Sequence, residues 1–302
     1  MVERENRPKP IKEQLRATLK SADIVDFNSE AEVLKDLQLF EIIIKDREQW
    51  ESKEEAEKIL DFFGDAVVRI YDDKTGPDVY DGDNPQERSR VLTDNIINAD
   101  IGRADRIVVV ADQNNRLVSF LASETYNYPD QPKLNSVSYL SLAYTDLAHR
   151  NKGICQELVC QHFNQEDFNA FGALSATPAM AESYSEACKR MGLKFYFGGH
   201  KNGSLAETGP DDELEKCKIF AEELDDLNKD DYLVKGVTPP LGYQVFQRES
   251  AMAPIESSDI AFKNDKGPLA QLFKEELLEI QQKYSPNTVY GILFALKQET
   301  NQ

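Results

Sequence analysis

Cysteine, histidine and tryptophan are scarce in this sequence, and long apolar runs are missing. Its 302 residues include four cysteines, three histidines and one tryptophan. The cysteines show no Cys-x-x-Cys spacing, so they indicate neither a zinc site nor the disulfide frame of a small secreted domain. No segment approaches the roughly 20 consecutive apolar residues of a membrane-spanning helix, and the first residues lack the apolar core of a signal peptide. We therefore expect a cytoplasmic protein without a bound metal.

Basic residues are outnumbered by acidic ones. There are 35 Lys and Arg residues against 54 Asp and Glu residues, which gives a formal net charge of -19 at pH 7. A field of this sign repels nucleic acids and anionic membrane surfaces, so we expect neither as a partner. A cationic partner is favoured, although solubility alone also explains such a charge.

The residue patterns divide the chain into three parts. Residues 1–37 are charged and contain only weak helical patterns, which predicts a helical or mobile leader. Residues 38–250 are predicted to form one mixed α+β domain, with an acidic helical insertion at about 205–235. Residues 251–302 contain an amphipathic helix that begins near Pro268 and an apolar strand at 288–297. We predict that they form a helix–strand extension packed on the domain.

Strands and helices alternate in the middle of the chain. "RIVVVAD" and "RLVSFLASETY" are separated by turn residues and predict a β-hairpin. "SVSYLSLAYT" at 136–145 predicts a third strand, and the following helix has Ile154, Leu158, Val159 and Phe163 on one face. "FGALSATPA", "MAESYSEACKRMG" and "LKFYFGG" then predict a strand, a helix and a strand. A short turn joins the strand at 136–145 to the helix that follows it.

That turn belongs to the segment "HRNKGICQELV", residues 149–159. It places two cations and a glycine directly before a helix, where unsatisfied backbone N–H groups and the helix dipole favour an anion. Gly153 permits close approach of a ligand to the backbone, and Arg150 and Lys152 add positive charge. Because many helices begin in this way, the turn by itself is a weak indication of phosphate binding.

The longer segment "LAYTDLAHRNKGICQELV" resembles the acetyl-CoA signature Q/R-x-x-G-x-G/A of the GCN5-related N-acetyltransferase (GNAT) superfamily. The strand "ALSATPA" and the unit "SEACKRMGLKFYF", which is similar to the family's "LYEKLGF" segment, follow in the family's order. The resemblance covers about residues 39–200. It implies an α+β fold with a central twisted, mostly antiparallel sheet, a splayed parallel strand pair, flanking helices and extensions at both termini.

The resemblance also implies acetyl-CoA as the co-substrate and direct attack of a primary amine on its thioester. Backbone groups of Ala143, Tyr144 and Thr145 would pair with the pantetheine arm. The pyrophosphate would be held by the signature residues Arg150, Asn151, Lys152, Gly153, Ile154 and Cys155. Cys155 stands where the family has a glycine or alanine, and its larger side chain would tighten the turn.

Acetyl transfer needs one proton to leave the amine and one to reach the thiolate. The family's thiolate-protonating tyrosine corresponds to Cys188, and Tyr184, one helical turn earlier, shares its face and is a possible substitute. The family's basic glutamate corresponds to Tyr139, and Glu124 at the end of the neighbouring strand is the preferred base. Each of the four also has a purely structural interpretation. His162 is predicted on the exposed side of its helix, without a metal role.

Two functions therefore remain open. The first is an N-acetyltransferase whose acceptor is a cationic small molecule or a protein amine, in an oligomeric state that the sequence does not indicate. The second is a catalytically weak or inactive GNAT-fold module that binds CoA or a protein partner. Ala181 and Cys188, which replace common family residues, favour the second function. Gly153 and its basic neighbours favour the first.

Overall fold

The computed structural model describes residues 10–45, 102–129, 134–175, 178–198, 200–201, 211–227, 232–233, 245–248, 267–274 and 288–298. The chain groups into two compact units. The first comprises Met1–Thr75, Gly82–Glu124 and Ser141–Leu158, and the second comprises Gly76–Asp81, Thr125–Leu140 and Val159–Gln302. One strand passes from the second unit to the first between Leu140 and Ser141.

The first unit contains an antiparallel sheet. Its elements are helix α1 (Ile11–Thr18), strands β1 (Ala22–Asp26), β2 (Gln38–Ile44) and β3 (Arg106–Ala111), and strand β4 (Leu117–Asn127) as far as Glu124. β1 pairs with β2, β2 with β3 and β3 with β4, each antiparallel. Alternate residues of the strands enter one core, because successive side chains of a strand point to opposite faces. This core includes Phe40, Ile42, Ile107, Val109 and Phe120. The predicted hairpin is confirmed as β3 and β4.

The predicted leader contributes α1 and β1 to this unit. The Arg16 guanidinium donates two hydrogen bonds to the Ile24 carbonyl, at 3.2 and 3.0 Å. Lys12 and Arg16 both form ion pairs with Asp26, and the Lys12 hydrogen bond is the largest cause of a lowered Asp26 pKa. The side chains of α1 therefore cover an outward-facing carbonyl of β1, which limits pairing of this strand with other chains.

The second unit contains the remaining described elements. In chain order they are strand β5 (Ser136–Thr145, up to Leu140), helix α2 (Ile154–Phe163, from Val159), β6 (Ala170–Ser175), α3 (Pro178–Met191), β7 (Lys194–Phe197), β8 (His200–Lys201), α4 (Asp211–Leu227), β9 (Tyr232–Leu233), β10 (Val245–Arg248), α5 (Pro268–Leu272) and β11 (Thr288–Leu296). β5 and β6 pair in parallel over Ser138–Leu140 and Phe171–Ala173. Every other described strand pair is antiparallel. The predicted α+β fold class, a mostly antiparallel sheet with one parallel pair and flanking helices, is confirmed.

The parallel pairing is short. It ends at Leu140 and Ala173, although β5 continues to Thr145 and β6 continues to Ser175. The splay of this pair beyond these residues remains a prediction.

The C-terminal strand β11 pairs along both of its edges. One edge pairs with β6, and the other pairs with β7 over Leu293–Leu296 and with β10 over Thr288–Gly291. The buried strand predicted at 288–297 is confirmed, and it is an interior strand of the second unit. The predicted domain boundaries at residues 37 and 250 remain predictions. None of the described helices is long and apolar enough to cross a membrane.

Candidate functional site

The candidate anion site is the turn that joins β5 to α2, and it lies within the first unit. The Asp146 N–H donates to the Val118 carbonyl of β4 at 2.8 Å, which fixes the start of the turn. A 3-10 turn follows over Leu147–His149, and the His149 N–H donates to the Asp146 carbonyl at 2.8 Å. Gly153 ends the turn, since its carbonyl accepts the first hydrogen bond of α2 from the Glu157 N–H at 3.1 Å.

Two residues of this turn have left-handed backbone conformations. Asn151 has a φ of 61° and Gly153 has a φ of 85°. Asparagine and glycine are the residues that adopt this region at the lowest cost. Alternation of right- and left-handed residues turns successive N–H groups towards one concavity, a geometry that binds anions. A Cβ atom placed on Gly153 would meet no heavy atom within 4 Å, so there is open space beside the glycine for a ligand.

Positive charge surrounds the same turn. Arg150, Asn151, Lys152 and Gly153 are all exposed. The Arg150 Nε donates to the Thr145 carbonyl at 3.0 Å, which holds the guanidinium beside the end of β5. Asp146 brings a carboxylate to the turn, but its oxygens accept from Tyr144 at 3.5 Å and contact His149 Nδ1 at 3.2 Å. In a chain with a net charge of -19, the turn places two exposed basic side chains beside a helix N-terminus, an arrangement of the kind that favours anions.

Ser119 of β4 holds the end of β5, a role that sequence analysis missed. Its hydroxyl donates to the Tyr144 carbonyl and lies 2.8 Å from the Thr145 hydroxyl. The Tyr144 ring packs into the first core, 5.7 Å from the Phe120 ring centroid. A serine in an alternating strand carries no sequence signal of such a contact.

The backbone of β5 presents only some of the groups predicted to bind pantetheine. The Asp146 N–H points towards β4, since it donates to Val118. Because strand residues alternate, the backbone groups of Tyr144 also face β4, and those of Ala143 and Thr145 face the opposite edge. The prediction for the three residues remains untested. The Tyr144 carbonyl accepts from the Ser119 hydroxyl, and the Thr145 carbonyl accepts from Arg150 Nε.

The candidate bases are both largely buried. Glu124 is 5% exposed and lies inside β4, which continues to Asn127. β4 therefore continues beyond Glu124, and the role of Glu124 as the base remains a prediction. Tyr139 is 8% exposed, and its ring stacks on Tyr126 with 5.4 Å between centroids. Tyr139 pairs with Gly172, one position before the parallel pairing ends.

The candidate acids lie on the buried face of α3. Tyr184 and Cys188 are both fully buried. The Tyr184 ring packs edge-on against Phe163 at 4.9 Å, and its hydroxyl has no hydrogen-bond partner among the residues that the structure describes. Burial raises the pKa of the Tyr184 hydroxyl and the pKa of the Cys188 thiol, because the ionised forms would lose their hydration. Both groups therefore keep their protons at neutral pH, and their catalytic roles remain predictions.

The position predicted for His162 is wrong. His162 is fully buried, and its ring lies 5.3 Å from Phe171 and 3.0 Å, through Nδ1, from the Gln165 amide nitrogen. The helical pattern alone did not show that this side of α2 also contacts the sheet. Within the described residues there is no group of three or more His, Cys, Asp or Glu side chains that could hold a metal.

An ion pair between the buried Glu213 of α4 and the partly exposed Lys194 of β7 was also missed. The Glu213 carboxylate accepts hydrogen bonds from the Tyr196 hydroxyl and the Lys194 ammonium group of β7. Glu213 is 7% exposed. It precedes the buried residues Cys217 and Phe220 by one and two helical turns, so helical spacing was the signal that could have placed it on the docked face.

No protein-family model and no curated protein matches the chain. Solved acetyltransferases resemble it in a structural comparison. A histone acetyltransferase HPA2-related acetyltransferase from Corynebacterium glutamicum is 17% identical, with 60% of this chain and 87% of that chain covered and a TM-score of 0.33. Diaminobutyrate acetyltransferase EctA from Paenibacillus lautus, in complex with diaminobutyric acid and coenzyme A, is 14% identical. The match covers 49% of this chain and 81% of that chain, with a TM-score of 0.28. Arabidopsis thaliana NAA60, in complex with a bisubstrate analogue, is 14% identical, with 45% and 82% covered and a TM-score of 0.28.

Proposed function

We propose that this chain, which has a GNAT-type fold, is an acetyl-CoA-dependent N-acetyltransferase. One observation carries the proposal: the turn before α2 has two left-handed residues, exposed basic side chains and open space beside Gly153. These features lie where the sequence resembles the acetyl-CoA signature of the GNAT superfamily. A diphosphate fits this site better than a monovalent anion, because Arg150 and Lys152 add two charges to the helix terminus.

The backbone edge of β5 supports a place for the rest of coenzyme A. By strand alternation, the Ala143 N–H and C=O groups and the Thr145 N–H group face away from β4, while the Thr145 carbonyl already accepts a hydrogen bond from Arg150 Nε. A pantetheine arm carries two amide groups that can pair with such an edge in the manner of an added strand. The arm would bind beside the same strand end that Ser119 fixes.

The proposed reaction is a direct transfer. The lone pair of a neutral primary amine attacks the thioester carbonyl carbon, and the carbon–sulfur bond then breaks. The amine nitrogen loses one proton to a base, and the departing thiolate gains one proton, which leaves an amide and coenzyme A. We propose Glu124 or Tyr139 as the base and Tyr184 or Cys188 as the acid. Their burial favours proton transfer only if substrate binding brings a reacting atom or a water molecule within hydrogen-bond distance.

The proposed acceptor is a cationic small molecule or a protein amine. The net charge of -19 attracts such molecules and raises their local concentration. The proposed location is the cytoplasm, in keeping with four cysteines that are all free thiols.

Thermal unfolding with acetyl-CoA, followed by a transfer assay, tests this proposal. A ligand that binds only the folded state at 100 times its Kd stabilises that state by about 2.7 kcal/mol. We expect a raised melting temperature with acetyl-CoA and release of free coenzyme A when primary amines are added. No stabilisation at millimolar acetyl-CoA would contradict the proposal.

A second candidate function is a GNAT-fold module that binds CoA without transferring acetyl groups. The burial of the Tyr184 hydroxyl, which lacks a hydrogen-bond partner within the described part of the chain, and the raised pKa of Cys188 favour this second function, since neither group contacts solvent. Turnover of Tyr184→Phe and Cys188→Ala at saturating acetyl-CoA separates the possibilities. A drop in turnover for one variant, without a change in CoA affinity, supports catalysis. CoA binding without transfer across an amine panel supports the module.

A further inference from the structure

Helix α4 lies against the strand that carries Tyr139. Its residue Phe220 is fully buried, and its ring lies 6.0 Å from Tyr139 and 5.5 Å from Phe294 of β11. All of these residues belong to the second unit. One face of α4 therefore packs against the candidate site residue Tyr139. The exposed acidic residues of α4 lie on its opposite face.

Gly172 of β6 makes the position of Phe220 possible. A Cβ atom on Gly172 would lie 2.2 Å from Phe220 Cζ and 2.5 Å from Cε1, closer than real contacts allow. The φ of Gly172 is not in the left-handed region, so the glycine is required here by contact with the ring. The Phe220 ring rests directly on the β6 backbone at Gly172, which is the residue that pairs with Tyr139.

Tyr139 is held from two directions. Tyr126 stacks on its ring at 5.4 Å with an interplanar angle of 22°, and Phe220 contacts it at 51°. The parallel pairing between β5 and β6 ends one residue later, at Leu140 and Ala173. Phe220 thus braces the Tyr139 ring near the end of the described parallel pairing.

The start of α4 is fixed as well. Glu213, two helical turns before Phe220, accepts hydrogen bonds from Tyr196 and Lys194 of β7. Because a buried carboxylate needs such partners, sliding of α4 along the sheet would leave a buried charge unpaired. The register of α4 and the position of the Phe220 ring are therefore coupled.

We infer that Phe220, seated on Gly172, is a positioning residue that fixes the Tyr139 ring and thereby the fit of the amine acceptor. This inference rests on the proposed acetyltransferase function, in which Tyr139 is one of the two candidate bases and would contact the amine acceptor. Phe220 acts through Tyr139 and takes no part in the chemistry. A displaced ring shifts the attacking amine, and misplacement by about 1 Å lowers rates by roughly 100-fold in known cases.

The chain offers a matched pair of glycines for the test. A Cβ atom on Gly291 of β11 would lie 2.2 Å from Phe197 Cζ, the same distance as on Gly172, but Phe197 packs against Phe273 of α5. Each substitution therefore adds a methyl group that overlaps a buried phenylalanine ring. The closest distance is the same in Gly172→Ala, which meets Phe220, and in Gly291→Ala, which meets Phe197. Only Gly172→Ala moves a ring that touches Tyr139.

We expect both variants to melt at similarly lowered temperatures and to bind acetyl-CoA as the wild type does. With a primary amine that the wild type acetylates, Gly172→Ala should lose about 10- to 100-fold in kcat/KM for the amine. Gly291→Ala should stay within about threefold of the wild type. Equal losses in the two variants, or an unchanged value for Gly172→Ala, would overturn the inference.

Phe220→Leu and Phe273→Leu repeat the comparison without added volume, and they serve if a glycine variant does not fold. Both phenylalanines are fully buried, so the two substitutions remove similar packing. We expect only Phe220→Leu to raise the KM for the amine or lower kcat, with the KM for acetyl-CoA unchanged. A wild-type chain that transfers acetyl groups while these variants behave alike would overturn the inference and leave the function standing. A wild-type chain that transfers none would overturn the function, and the inference with it.

Discussion

Replacement of Gly153 by glutamate perturbs the candidate anion site with little change elsewhere. Gly153 has a φ of +85°, and a Cβ atom there meets nothing within 4 Å, so a side chain fits but the backbone is strained. Gly192, directly after α3, has a φ of +66° and the same open surroundings. Gly192→Glu is therefore a control with the same residue type, the same added charge and a similar backbone cost.

Backbone strain and electrostatic repulsion of the ligand differ in size. A non-glycine residue in the left-handed region costs about 1–2 kcal/mol, so both variants should lose a similar free energy of unfolding. At Gly153 the new carboxylate also meets the bound diphosphate. Two unit charges 4 Å apart repel by about 4 kcal/mol at an effective dielectric constant of 20, which corresponds to roughly a 1,000-fold weaker affinity.

Calorimetric titration with coenzyme A measures this difference. We expect Gly192→Glu to bind as the wild type does and Gly153→Glu to show no binding at ligand concentrations that saturate the wild type. Without ligand, the melting temperatures of the two variants should be lowered equally. A folding defect is then excluded as the cause of the lost coenzyme A binding. Equal affinities of the two variants for coenzyme A would refute the assignment of the diphosphate to this turn.

Other predictions follow from individual contacts. Arg150→Gln should weaken coenzyme A binding about three- to tenfold and reduce its dependence on salt, because one exposed cation is removed; titration at two salt concentrations checks this. Burial raises the pKa of Cys188, so its contribution to stability is present below the unfolded pKa of about 8.5 and falls as pH rises above it. The wild type should therefore lose stability about 1.4 kcal/mol per pH unit faster than Cys188→Ala above that pH, measured by urea unfolding, and parallel curves would contradict the burial argument. Alkylation of the folded protein should modify the half-buried Cys155 first, with coenzyme A slowing it, and equal rates for Cys155 and Cys188 by mass spectrometry would be contrary to the structure.

Local patterns predicted the elements that depend on neighbouring residues. The face of α2 that carries Ile154 and Phe163, the hairpin of β3 and β4, and the apolar strand β11 all follow from residue spacing within one element. Gly153 and Asn151 were informative for the same reason, since their left-handed backbone belongs to a single turn.

Contacts between distant segments could not be predicted from such local patterns. The sequence does not show that β11 pairs with both β6 and β7, because strand pairing depends on the whole chain. Glu213 is 7% exposed, and its hydrogen-bond partners Lys194 and Tyr196 lie on β7, in another segment of the chain. The contact between Gly172 and Phe220 joins two residues with no local relationship at all.

A crystal structure of the chain with bound coenzyme A tests the central claim most directly. We predict diphosphate oxygens within hydrogen-bond distance of the backbone N–H groups at residues 153–155, with the pantetheine arm beside Ala143 and Thr145. Coenzyme A bound at another place, with this turn still facing solvent, would contradict the account.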